Sequence, residues 1–162
     1  VVVAPSTATT GAAGLAEVAL TALTPGRGLP AGLRVAVSRL GGADVQVPDW
    51  AVVGLGRQDE LLARADVLVC GGGHGIVAKS LRHGVPLVTV PGGGDQWEIA
   101  NRVVRQGSGR LIRPLTAEAL TAAVAGVLAD PRYRDAAAVA GAGVDRVADP
   151  VRVCHDALAA TR

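Results

Sequence analysis

Apolar residues in this chain gather into short runs, separated by longer segments with helical spacing. Val1–Ala4 is a first apolar run, stopped by Pro5, and it predicts a strand. A polar loop, Ser6-Thr7-Ala8-Thr9-Thr10-Gly11, follows at that strand's carboxyl end. Leu15, Val18, Ala19 and Ala22 then fall on one helical face, and Pro25-Gly26 ends the segment. Leu33–Ser38 predicts a second strand, residues 41–50 a loop containing Pro48, and Ala51–Val53 a short third strand. A loop at Gly54-Leu55-Gly56-Arg57-Gln58 leads to a short helix over Asp59–Ala65.

The same alternation continues through the middle of the chain. Val67–Cys70 and Pro86–Val90 read as the fourth and fifth strands, each ending in a glycine cluster that opens a helix. The helix over Gly75–His83 stops at Gly84, placed at the position after a helix that glycine favours. The helix over Asp95–Gln106 has Asp95 as its expected N-cap. Gly109–Ile112 reads as a sixth strand. Beyond Pro114, Thr116 caps a helix with Leu120, Val124, Val127 and Leu128 on one stripe. Two more helices are predicted, one from Asp130-Pro131 to about Gly141 and one from Pro150 to the end. Strand and helix in alternation predict an α/β fold, a doubly wound, Rossmann-like parallel sheet of about six strands.

Composition agrees with buried parallel strands. The 162 residues are 49% hydrophobic but only 2% aromatic, with no Phe or Met, so the core is built of Val, Leu, Ile and Ala. That length suits one domain. The net charge of +2 comes from scattered Arg, with Lys79 the only Lys. No basic run with interleaved aromatics points to nucleic acid. No apolar run reaches the ~18 residues of a membrane span, and no secretory pattern is present. Cys70 and Cys154 lie far apart without a disulfide pattern, and a reduced, cytoplasmic setting is expected. The chain starts at Val1 within a strand, without Met, as a piece cut at a domain boundary would.

The chemistry concentrates between Ala65 and Arg102. Gly71, Gly72, Gly73 and Gly75 put four glycines into five residues, more than a tight turn needs. A strand that empties into glycines at a helix N-terminus offers unpaired N–H groups to an anion, here a diphosphate. Gly73-x-Gly75-x-x-Ala78, with Asp95 about 20 residues later, also fits the dinucleotide fingerprint and keeps an NAD-binding oxidoreductase domain in view. That fingerprint normally follows the first strand of its unit, and here three strands precede it. His74 can donate to a phosphate oxygen or stand as an exposed loop histidine. Asp95 and Gln96 suit sugar hydroxyls: the carboxylate accepts hydrogen bonds, and the amide both donates and accepts. His83 reads as a helix C-terminal residue. Cys154, His155 and Asp156 are consecutive, so a helix does not bring them to one face as a triad. No His/Cys/Asp/Glu group has metal spacing.

The segment from Val52 to Val103 resembles the nucleotide-sugar half of family 1 glycosyltransferases of the GT-B fold. Gln58 precedes Leu61-Leu62 and Ala65-Asp66 as in that family. The stretch Gly71–Ile76, then Gly84-Val85-Pro86, Pro91 and Asp95-Gln96 follows the family's order and spacing. Ala100-x-Arg102-Val103 and Gly107-x-Gly109 continue it. The sequence also departs from the pattern. The family's phosphate-contacting His falls on Gly71, its Ser/Thr on Ile76, its base-stacking aromatic near Leu55, and its Asn after Asp-Gln on Ile99.

The resemblance implies a donor-binding domain spanning residues 1–162, with an amino-terminal acceptor domain absent from this chain. Leu55 would offer its backbone to the base, with Gln58 close by. Gly72, Gly73, His74, Gly75 and Ile76 would hold the diphosphate, and Asp95 and Gln96 the sugar. Ser6 and Thr7 would line the facing loop. The implied reaction moves a hexosyl group from a nucleoside-diphosphate sugar to an acceptor hydroxyl, with inversion and without metal or cofactor. The catalytic base would belong to the missing half. A degenerate domain that kept the fold and lost the ligand is the non-enzymatic alternative.

Overall fold

The computed structural model describes residues 1–6, 12–38, 47–143 and 147–160. Thr7 and most of the expected loop after the second strand lie outside them. Among the described residues, strands β1 (Val2–Ala4), β2 (Val35–Ser38), β3 (Ala51–Gly54), β4 (Leu68–Cys70), β5 (Leu87–Thr89) and β6 (Gly109–Leu111) form one sheet. Its order is β3-β2-β1-β4-β5-β6, and every pairing is parallel. The order reverses between β1 and β4. That switch point is where open α/β sheets leave a crevice at the carboxyl ends of their strands.

Period-2 alternation along the buried strands sorts the core into two layers. Val3, Val37, Val67, Val69, Val88 and Val90 face one side, with α1 (Leu15–Ala22) and α5 (Ala117–Ala129). Val2, Ala4, Leu68, Cys70 and Leu87 face the other, with α2 (Gln58–Leu62), α3 (His74–Arg82) and α4 (Gln96–Arg105). Helix α6 (Arg132–Ala142) packs on α3, and α7 (Pro150–Ala160) is exposed along its length.

Helix ends follow sequence signals, with one exception. Gly84 has φ 64° after α3. Its N–H bonds the Leu81 carbonyl at 2.8 Å, and the Val85 N–H bonds Ser80 at 2.9 Å, a Schellman closure. Gly107, with φ 75°, ends α4 in the same way. Thr116 Oγ1 accepts from the Ala119 N–H at 3.1 Å, as a helix N-cap should.

The exception is Asp95. It sits at the N-cap position, and its carbonyl accepts the first helical bond from the Ile99 N–H at 3.1 Å. Its backbone, however, is already helical (φ −65°, ψ −18°), and its side chain makes no capping bond. A capping side chain needs extended backbone to turn back over the first turn. Gly94, with φ 63°, makes the entry into α4 instead. Helix α2 is also shorter than expected, because the chain tightens after Leu62 and Ala65 bonds back to Leu62 at 3.1 Å.

Candidate functional site

Three strand ends meet at the switch point. β1 ends into Pro5-Ser6, β4 into Gly71-Gly72-Gly73, and β5 into Pro91–Gly94. One side chain ties two of them together and lies close against the third. Gln96, only 3% exposed, accepts a hydrogen bond from the Gly92 N–H at 3.0 Å. It donates through Nε2 to Ser6 Oγ at 3.2 Å. A Cβ on Gly71 would lie 3.2 Å from Ser6 Cβ and 3.4 Å from Gln96 Oε1. The Ser6–Gln96 pair therefore fills the space into which a side chain at position 71 would grow.

The first glycine cluster forms the mouth of α3. Gly72 has φ 85°, and a Cβ there would stand 3.2 Å from the Gln96 backbone oxygen. Gly73 is the N-cap with extended backbone (φ −63°, ψ 142°), and its carbonyl takes the Val77 N–H at 3.2 Å. The N–H groups of His74, Gly75 and Ile76 have no acceptor within the helix. They sit at its positive end. His74 and Gly75 are exposed, and Gly73 and Ile76 half-buried. Asp95 is exposed on the neighbouring loop, so its carboxylate is open to a ligand.

Cys70 lies directly below this turn and is fully buried. Burial pushes its thiol up to about 12, against a small opposing effect of the Gly72 N–H. Above the ordinary thiol value of 9.0, the unfolded chain loses this proton while the native chain keeps it. Stability contributed at this position therefore falls as pH rises from about 9 towards 12. The expected loss at pH 10.5 is about 2 kcal/mol. Urea midpoints at pH 8 and pH 10.5, compared with those of Cys70→Ala, check it. An equal alkaline drop in both proteins overturns it. Thiol labelling of the native chain should reach exposed Cys154 and spare Cys70.

Leu55 and Gln58 follow β3, three strand spacings from β4, about 14 Å along the crevice. Leu55 is 79% exposed. Gln58 opens α2, and its Oε1 accepts from Lys79 Nζ of α3 at 3.3 Å. Lys79 is also 3.4 Å from Asp59 Oδ2, and His83 Nε2 is 3.5 Å from Asp59 Oδ1. Desolvation raises the Asp59 carboxyl, but hydrogen bonds from Lys79 and His83 outweigh it and hold the group below its usual range. His83 closes α3 at its C-terminal end, as expected.

The structure thus brings Ser6, Gly72, Gly73, His74, Gly75, Ile76, Asp95 and Gln96 around one crevice, with Leu55 and Gln58 along its length. Sequence reasoning missed Lys79 as a neighbour of Gln58, although its being the only Lys was a usable signal. It also missed Arg113, whose guanidinium lies 4.8 Å from the Trp97 ring centre, one residue beyond Gln96. Among the described residues no group of three His, Cys, Asp or Glu comes together as a metal site. No helix among them is long and apolar enough to cross a membrane. A cavity of about 980 Å³ opens on the opposite edge of the sheet, at the amino ends of β1, β2 and β3. It touches none of the glycine turns.

Sheet order and crevice define a doubly wound, Rossmann-like parallel α/β domain. The chain belongs to the family described as "Erythromycin biosynthesis protein CIII-like, C-terminal domain", matched over residues 31–157. A curated relative, human UDP-glucuronosyltransferase 3A1, is 37% identical over 101 residues, 60% of this chain and 18% of that protein. The 4'-demethylrebeccamycin synthase of Lentzea aerocolonigenes is 40% identical over 76 residues, 46% of this chain and 18% of that protein. Among solved structures, the spinosyn rhamnosyltransferase SpnG complexed with thymidine diphosphate matches with TM-score 0.80 and 22% identity. That match covers 96% of this chain and 44% of the other. The chain therefore spans less than half the length of these proteins.

Proposed function

We propose that this chain is the nucleotide-sugar donor half of a glycosyltransferase, and that a separate amino-terminal half supplies the acceptor site. The observation that carries this is the Gln96 clasp. It bonds Ser6 to the second glycine turn and packs close against the first, at the switch point. Family membership and the solved relative holding thymidine diphosphate support the same reading.

In this reading the diphosphate lies on the N–H groups of Gly73, His74, Gly75 and Ile76. The base lies towards Leu55 and Gln58, with Asp95 holding sugar hydroxyls. Gln96 is only 3% exposed, and its amide, bonded to Ser6 and Gly92, frames the floor of the crevice beside the sugar. An acceptor oxygen attacks the anomeric carbon from the face opposite the diphosphate. The new C–O bond forms as the bond to the β-phosphate oxygen breaks, inverting the centre. The acceptor's proton passes to a base in the other half. The leaving diphosphate's charge is met by backbone dipoles and the α3 terminus, without a metal. Calorimetry with UDP, dTDP, GDP and NAD tests the reading. Nucleoside diphosphate binding without NAD binding is expected, and NAD binding alone would point to an oxidoreductase domain.

Two outcomes follow from the placement of residues. The 162 residues by themselves are expected to transfer no sugar, since in this reading the base sits in a separate facing half; turnover of any acceptor by the purified 162-residue domain refutes that. Asp95→Ala should weaken UDP-sugar binding more than UDP binding. Each charge-assisted hydrogen bond lost, where fully desolvated, accounts for about 1.5–3 kcal/mol. Because Asp95 makes no capping bond, its removal should leave the melting temperature nearly unchanged. Asp95→Asn should fall between the two. Equal weakening of UDP and UDP-sugar would remove the sugar role from Asp95.

A further inference from the structure

We propose that Lys79 is a positioning residue for base selection. Its ammonium engages the Gln58 carbonyl oxygen and leaves the amide's NH2 for the base, so the crevice takes a 4-keto pyrimidine over a 4-amino one. The inference rests on the donor-binding reading and adds a specificity to it.

The orientation follows from hydrogen-bond chemistry. An ammonium group only donates, so the Gln58 atom 3.3 Å from Lys79 Nζ must be the carbonyl oxygen. Lys79 is itself held, since Asp59 Oδ2 lies 3.4 Å from the same nitrogen. His83, 3.5 Å from the other Asp59 oxygen, steadies that carboxylate in turn. Gln58 is half-buried, at the start of α2, three residues beyond exposed Leu55. With its oxygen engaged, Gln58 offers the base two N–H donors.

A uracil or thymine ring presents a carbonyl at position 4, which accepts such a donor. Cytosine presents an amino group there, which sets donor against donor and leaves both unsatisfied. Without Lys79, the amide can turn over and offer its oxygen to cytosine. The selectivity thus resides in the lysine as much as in the glutamine, which alone is indifferent to the two bases.

The test is calorimetric titration of the wild-type chain, Lys79→Met and Lys79→Arg with UDP, CDP and inorganic pyrophosphate. Wild type is expected to bind UDP about tenfold more tightly than CDP. Lys79→Met should bring the two within about twofold, and Lys79→Arg should restore most of the difference. Pyrophosphate reports any general loss of positive charge and should change alike with both nucleotides. Gln58→Glu gives a second route that leaves Lys79 in place: a carboxylate offers only acceptors, so preference should move towards CDP. UDP binding with the same UDP/CDP ratio in wild type and Lys79→Met overturns the role of Lys79 while leaving the donor-binding reading intact. Failure of wild type to bind any of the three overturns both.

Discussion

Gly109→Ala is expected to lower the unfolding free energy by about 3 kcal/mol or more, the upper end for overpacking a closed core. Gly109 is the first residue of β6 and pairs with Leu87 of β5. A Cβ at this position would press into the Leu87 carbonyl oxygen and stand 2.8 Å from Val103 Cγ1. The obstacle is backbone of a fully buried strand on one side and a fully packed valine of α4 on the other. Neither yields without opening the β5–β6 pairing. Gly126→Ala makes the contrast. Its Cβ would stand 2.8 Å from an Arg110 guanidinium nitrogen, the far end of a flexible side chain. There the helix propensity of alanine, ~1 kcal/mol better than glycine, offsets the adjustment. Urea unfolding of both variants checks the pair. A Gly109→Ala loss below about 1 kcal/mol would mean that the β5–β6 edge gives easily.

Gly72→Ala should abolish or severely weaken nucleoside diphosphate binding, by about tenfold or more, with a smaller loss of stability. Its φ of 85° costs an L-residue roughly 1–2 kcal/mol, and its Cβ would crowd the Gln96 backbone oxygen at 3.2 Å. The turn relieves both by flipping, which re-aims the N–H groups of Gly73, His74 and Gly75. Those donors carry the proposed diphosphate site, and each charge-assisted bond that is misdirected loses about 1.5–3 kcal/mol. Gly32→Ala is the control, because a Cβ there meets no atom within 4 Å, its φ is ordinary and it lies at the other end of the sheet, away from the glycine turns. Calorimetry with UDP separates them. Undiminished UDP affinity in Gly72→Ala would move the diphosphate away from this turn.

Departures from the family pattern gain a physical account at Gly71. A histidine at that position would have to displace Ser6 or Gln96, whose mutual hydrogen bond spans 90 positions of sequence. In the proposed reading, the Ser6–Gln96 clasp beneath the turn stands where the resemblance places a phosphate-contacting side chain. Ile76, where the resemblance places a hydroxyl, packs instead against the layer containing Val77 and Cys70. Its backbone N–H still opens the helix. Among the described residues of this turn, main chain and the exposed His74 are what remain for an anion.

Local patterns were sufficient for the elements and most of their ends. Period-2 and helical spacing marked every strand and helix within a few residues. Gly84 and Thr116 announced their helix ends because those signals act within one turn, between residues three to five apart. Asp95 was misread as a side-chain cap for the same reason: the residue type matched, but the incoming backbone at Gly94 had already set helical angles. Sequence pattern and resemblance together marked out the glycine turns and the Asp95-Gln96 pair as the place of chemistry. Tertiary structure alone decided how they meet. The reversal of strand order beside β1 brings Ser6 to Gln96, and the packing of α2 on α3 brings Lys79 to Gln58. Those contacts join residues 90 and 21 positions apart. No periodicity encodes them, because they depend on which faces the crossovers bury and how closely the glycine backbones let the strand ends approach.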